Sequence, residues 1–234
     1  MWTGYNHQQE EIPMNDLGTA FTFPFKDPDW VKKFLLGALF MLLCIVVVGI
    51  FILVGYFVQV TQRVIRRDEK LLPEWEDIGV MLIVGFKYCV VYLIYSLPLI
   101  FLLIPMFVLS LVGMFSGSGT VSMFSSVYTI LMMLLMIPYG LALTLLQPII
   151  FGRFAVNESI SEALDIGALF RTFKRNWQHT LIVALIATGV QSFAGFGIIL
   201  FIVGILATIF YSHLVTAYLY GALYLEQSQG GMTV

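Results

Sequence analysis

The stretch FLLGALFMLLCIVVVGIFILVGYFVQV, residues 34–60, contains no charged residue. A helix rises 1.5 Å per residue, so about 20 apolar residues cross a hydrocarbon core of about 30 Å. This run is long enough to cross with tilt. Hydrocarbon offers no hydrogen-bond partner, so a crossing segment must satisfy its backbone internally, as a helix.

Three further runs have the same character. Residues 80–115 are broken only by Lys87 and carry Pro98 and Pro105; residues 123–151 carry Pro138, Gly140 and Pro148. Residues 181–225 are free of charge over a length that suits two spans, with a turn expected near Ala194-Gly195-Phe196-Gly197. The sequence therefore predicts an all-α, polytopic transmembrane helix bundle of about five spans: 34–60, 81–110, 123–150, 181–197 and 200–225. These fall within a transmembrane domain at 23–226, preceded by a polar segment at 1–22 and followed by a short polar tail at 227–234.

Composition agrees. The chain is 59% hydrophobic and only 11% charged, where soluble domains carry about 25% charged residues. So few charges cannot cover that much apolar surface in water. A net charge of −2 gives no indication of nucleic acid as a partner. Cys44 and Cys89, far apart within apolar runs, form neither a disulfide framework nor a metal-ligand spacing. The first 33 residues are mostly polar and acidic, unlike a cleavable secretory signal, so the first span is expected to stay in the protein.

Trp2, Trp30, Trp75 and Trp177 all lie outside the runs, and three of them flank spans, where an amphipathic ring settles at headgroup level. Between the spans, Ser159 and Glu162 have capping-box spacing. Beyond them Ile160, Leu164, Gly167, Phe170, Phe173 and Trp177 recur at helical spacing, opposite Arg171, Lys174 and Arg175. That pattern predicts an amphipathic helix lying in the membrane interface. A second is expected around residues 74–79, because Glu74-Trp75-Glu76-Asp77-Ile78-Gly79 aligns with Glu162-Ala163-Leu164-Asp165-Ile166-Gly167 at an offset of 88 residues. Gln59 falls on Gln147 at the same offset, which points to an internal repeat of about 88 residues.

Arg63, Arg66, Arg67 and Lys70 lie in one loop, and Arg153, Arg171, Lys174 and Arg175 in another. The excess of basic residues places both loops in the cytoplasm. Five spans would put the N-terminal segment outside, against which Lys26, Lys32 and Lys33 argue; a re-entrant hairpin turning near Gly49 would return it to the cytoplasm.

Phe25-Lys26-Asp27-Pro28-Asp29-Trp30-Val31-Lys32-Lys33, Gly55-Tyr56, Leu72-Pro73-Glu74-Trp75-Glu76-Asp77, Gly85-Phe86-Lys87 and Tyr95-Ser96-Leu97-Pro98 follow one another along the chain. Together they resemble a family of prokaryotic, notably archaeal, integral membrane proteins known only as a domain of unknown function. The resemblance covers roughly residues 23–225. It implies a multi-pass protein of the cell membrane and carries over no functional residue.

A transporter is expected to hold ionisable groups near the bilayer midplane and broken helices in corresponding halves. The breaks are present, but no Asp or Glu falls inside a span, and the deepest polar groups are Gln147, Gln191 and His213. His7, His179 and His213 share no ligand spacing, and there is no phosphate-binding loop. No enzyme activity, metal or cofactor is therefore expected. The reading that follows is a structural, scaffolding or accessory role. Membrane lipids, other membrane proteins or further copies of the chain would be engaged at the cytoplasmic interface through Trp75, Arg171, Lys174, Arg175 and Trp177. The alternative is a transporter or permease for a small or lipid-like substrate, using Gln147, Gln191 and His213.

Overall fold

A chain this poor in charge must close its backbone hydrogen bonds within each segment, and helices do so. The computed structural model describes residues 17–116, 119–194 and 201–229, and among these there is no strand. The helices are α1 (Leu17–Thr22), α2 (Trp30–Leu42), α3 (Val48–Arg66), α4 (Ile78–Ser116), α5 (Gly119–Asn157), α6 (Ile160–Ala163), α7 (Ile166–Arg175), α8 (Trp177–Ala194) and α9 (Phe201–Gln229). Short 3₁₀ turns occupy Phe23–Lys26 and Leu43–Val46. Among the described residues, four stretches are long and apolar enough to cross a bilayer: Val48–Arg66, Ile78–Phe115, Ser122–Asn157 and Gly204–Ser228. The chain is a multi-pass membrane protein.

The span count differs from the expected five for two reasons. Residues 34–60 are not one helix. The β-branched run Ile45-Val46-Val47-Val48 holds a helix weakly, and the chain reverses there, with Val47 at φ 67°. Gly49 permits the reversal, since a Cβ at that position would press on the backbone of Phe40, Leu43 and Cys44. Only α3, the returning arm, qualifies as a span. Residues 181–225 do form two helices, α8 and α9, but only α9 is among the four. The expected turn at 195–197 lies outside the described residues.

Contacts fix the directions. Thr180 and Gln227, and Gln191 and Thr216, pair across α8 and α9, which run antiparallel. Tyr139 donates to the Tyr95 carbonyl across the antiparallel α4 and α5. The three hairpins α2–α3, α4–α5 and α8–α9 all open towards one face. Lys33 at the start of α2 pairs there with Glu74, after α3, and Arg175 donates to the Gln227 carbonyl near the end of α9. Residues 23–33 thus sit on the same face as both basic loops, not on the opposite one as five spans required.

At the centre, α3 and α9 lie side by side, with Thr61 donating to the Ala217 carbonyl at 2.8 Å. Their apolar windows are 61% buried, against 0% for α4 and α5, so they form the axis around which the others pack. The backbones of α3 and α4 approach closely at two glycines: a Cβ on Gly55 would collide with the Met81 carbonyl, and one on Gly85 with the Phe51 carbonyl. Beyond Val91, α4 has no fully buried residue among those described, and before Pro148 α5 has only Ser125. The distal halves of these two 39-residue helices therefore project past the bundle.

The two matched segments share some local construction, though at spacings of 88 to 91 residues. Helix α3 closes on Arg67 at φ 59° and α5 on Glu158 at φ 50°. Arg63 then donates to the carbonyls of Lys70 and Leu72, and Arg153 to that of Glu162. Helices α4 and α7 each open at the Ile of the matched Asp-Ile-Gly, after Asp77 and Asp165. The copies then part. Helix α4 runs on for 39 residues, whereas α7 stops after 10. Residues 74–77 are a loop, so a second interfacial helix does not form there. The expected helix after Ser159 is divided into α6, α7 and the start of α8. Its capping box is half made: the Glu162 amide donates to Ser159 Oγ at 3.5 Å, while the Glu162 carboxylate turns to Asn157.

Lys33 is 2% exposed and meets Asp27 at 2.8 Å and Glu74 at 2.7 Å. Lys33→Met should cost about 3–5 kcal/mol, because it strands the buried Asp27 carboxylate; Lys32→Met should cost little. Thermal unfolding of the two variants in detergent would compare them. Single cysteines at Asp29, Asp68 and Ser161 should all react with an impermeant reagent from the same side of the membrane, and opposite labelling of Asp29 would refute the hairpin arrangement.

Candidate functional site

Serine and threonine in apolar helices usually satisfy themselves by donating to a carbonyl one turn back. Ser96, Thr144, Thr188 and Ser192 do this here, at 2.7–2.9 Å. A glutamine carboxamide, with two donors and an acceptor, has no such easy solution. Gln147 on α5, Gln191 on α8 and His213 on α9 come from three separate helices, yet all three line one cavity of about 460 Å³. Its walls are drawn from α3, α4, α5, α8 and α9. They include Ile50, Val54, Phe57 and Phe151, and no lining residue is charged.

Each polar group is held differently. His213 donates from Nδ1 to the Ile209 carbonyl at 2.8 Å. A carbonyl can only accept, so Nδ1 carries the proton and Nε2 of the neutral ring is an acceptor. The ring lies on Phe57, with centroids 5.2 Å apart and planes at 20°. Gln191 donates weakly to Thr216 Oγ1 at 3.5 Å, and Thr216 donates to the Ser212 carbonyl at 2.8 Å. The Gln147 carboxamide makes no hydrogen bond with the described protein. It also borders a second cavity of about 220 Å³ between α4 and α5, which shares Tyr88, Tyr92 and Gln147 with the first. Gln147 is half-buried, and its carboxamide is left open to the cavity, so it is the group in this wall most available to a ligand.

The residues expected at the membrane interface are dispersed. Trp75 is turned inward, stacked at 4.1 Å on Tyr56 and 4.7 Å on Phe40, because its loop folds back between α2, α3 and α9. Its Nε1 has no hydrogen-bond partner. Arg171, Lys174 and Arg175 are exposed on α7, and Arg175 is already engaged with the Gln227 carbonyl at 2.8 Å. The face of α7 turned to the bundle is that of Leu169 and Phe173, while Ile166 and Phe170 are about 60% exposed. Trp177, 51% exposed, opens α8 instead of closing α7.

Sequence reading missed the tyrosines of the cavity wall, Tyr88, Tyr92 and Tyr220. Aromatic residues in apolar runs carry no distinguishing pattern. It also missed the joint role of Asp27, Lys33 and Glu74. The available signal was the presence of these charges in two distinctive motifs beside otherwise uncharged spans.

No curated protein and no solved structure matches this chain. A family model does match, over residues 38–208, from within α2 into the first part of α9; Lys33 and His213 lie outside that match. By that match the chain belongs to the DUF4013 family, described as proteins of unknown function.

Proposed function

We propose that this chain holds a small, largely apolar molecule drawn from the bilayer in the cavity between α3, α4, α5, α8 and α9, and carries it within or across the cell membrane. The observation behind this reading is the meeting of Gln147, Gln191 and His213 from three helices at one cavity. In the sequence these groups looked like scattered interhelical contacts, each worth roughly 0.6 kcal/mol, and the accessory role stood ahead. Their convergence supports the carrier instead. The volume lies within the about 300–1,000 Å³ usual for ligand sites, and the walls suit a lipid-like body. The role is one of binding and movement, not catalysis.

A second reading rests on α7, whose outward face presents Arg171 and Lys174 beside Ile166 and Phe170. This face suits anionic headgroups at the cytoplasmic surface, where the scaffolding or accessory role would operate. The two readings concern different surfaces and can hold together.

Protein purified from its native membrane should retain a hydrophobic compound in near-stoichiometric amount by native mass spectrometry. A Gln147→Leu/His213→Leu variant that still elutes as a folded species should lose it. Retention by the variant would count against the cavity. For α7, Arg171→Gln/Lys174→Gln should lower retention of anionic lipid by about 30-fold, at about 1 kcal/mol per basic residue. An unchanged lipid profile would remove the interfacial reading.

A further inference from the structure

The cavity wall has a definite hydrogen-bonding character. It offers an imidazole acceptor at His213 Nε2, because Nδ1 is committed to the Ile209 carbonyl. It also offers the unpaired carboxamide of Gln147, which both donates and accepts. No Asp, Glu, Lys or Arg lines it. A charged headgroup here would lose its hydration and meet no counter-charge, which costs far more than hydrogen bonds to neutral groups return. A headgroup that only accepts, such as an ether, would leave the imidazole nitrogen unanswered.

We infer that the cavity selects an amphipathic molecule with an uncharged headgroup that both donates and accepts a hydrogen bond, a long-chain alcohol or primary amide, read by Gln147 and His213. This inference rests on the carrier reading above and adds its specificity. The apolar body lies along Ile50, Val54, Phe57 and Phe151. Gln147 stands where the two cavities meet, between Tyr88 and Tyr92 of α4 and its own helix. The headgroup is therefore held at the junction while the chain extends to one side. Gln147 sets the preference; Phe57, stacked on the imidazole, keeps the His213 ring in place.

The full chain in nanodiscs, photolabelled with a diazirine-bearing dodecanol, tests this directly. Saturable labelling should fall on peptides of the cavity wall. Unlabelled dodecanol should compete about tenfold better than dodecyl methyl ether, which lacks the donor, and better still than dodecyltrimethylammonium. In Gln147→Leu the advantage of the alcohol over the ether should shrink towards unity. If the ether or the ammonium competes as well as the alcohol against wild-type protein, the headgroup selectivity is wrong while the cavity remains a ligand site. If Gln147→Leu keeps the full alcohol preference, Gln147 is not the reader. Absence of saturable labelling by the probe would overturn both the selectivity and the carrier reading beneath it. The wild-type competition does not depend on whether the variant folds.

Discussion

A single buried ammonium group ties the two most distinctive stretches of this chain together. Lys33 Nζ has three protons, and three oxygens receive them: Asp27 Oδ2, Glu74 Oε1 and the Leu72 carbonyl at 3.2 Å. A buried charge is tolerated when its donors are all answered and its charge is balanced. Meeting those conditions forces the start of α2 against the loop that follows α3. That loop is then drawn inward, with the Tyr56 hydroxyl donating to the Pro73 carbonyl and Arg63 to the Leu72 carbonyl. Trp75 is carried into the space between Tyr56 and Phe40, and its ring reaches Phe210 of the central α9. The folded-back first hairpin, the inward loop and the position of α9 are consequences of one set of charges.

The central pair also governs the cavity. Because α3 and α9 run side by side, Phe57 and His213 stack and present one continuous wall. The close approach of α3 and α4 at Gly55 and Gly85 brings Tyr88 and Tyr92 round to face that wall. Helices α5 and α8 then contribute one glutamine each. None of these elements forms the site alone, and the glutamines stand more than forty residues apart in the chain. The site is a product of helix packing, not of any local motif.

This explains what could and could not be read from sequence. Helicity, membrane residence and the positions of the long apolar helices follow from charge-free length, which is a property of each segment by itself. The matched Asp-Ile-Gly sites were legible for the same reason: both begin helices. The reversal at Val47 was harder to see, because residues 34–60 are uniformly apolar and only the tertiary fit at Gly49 breaks them. Trp75 was read as an interfacial ring because tryptophans beside spans usually are. What turns it inward is Lys33, some forty residues earlier in the chain. Gln147, Gln191 and His213 could be picked out as the deepest polar groups, but their convergence depends on directions that the sequence does not encode locally.

The projecting α4–α5 pair has a consequence for the lipid around it. From Tyr88 to Ser116, α4 carries no charge over about 43 Å of helix, where the hydrocarbon core is about 30 Å thick. Phe101, Phe107 and Phe115 lie exposed along this stretch, so its length cannot be shed into water without exposing large rings. A tilt of about 20° absorbs only a few of the excess ångströms. The bundle's shorter helices fit an ordinary bilayer, so the pair creates a one-sided hydrophobic mismatch. Such a mismatch is taken up by steeper tilt, by bending at Pro98 and Pro105, or by local thickening of the bilayer, so the lipid beside this hairpin meets a demand that the lipid beside the bundle does not.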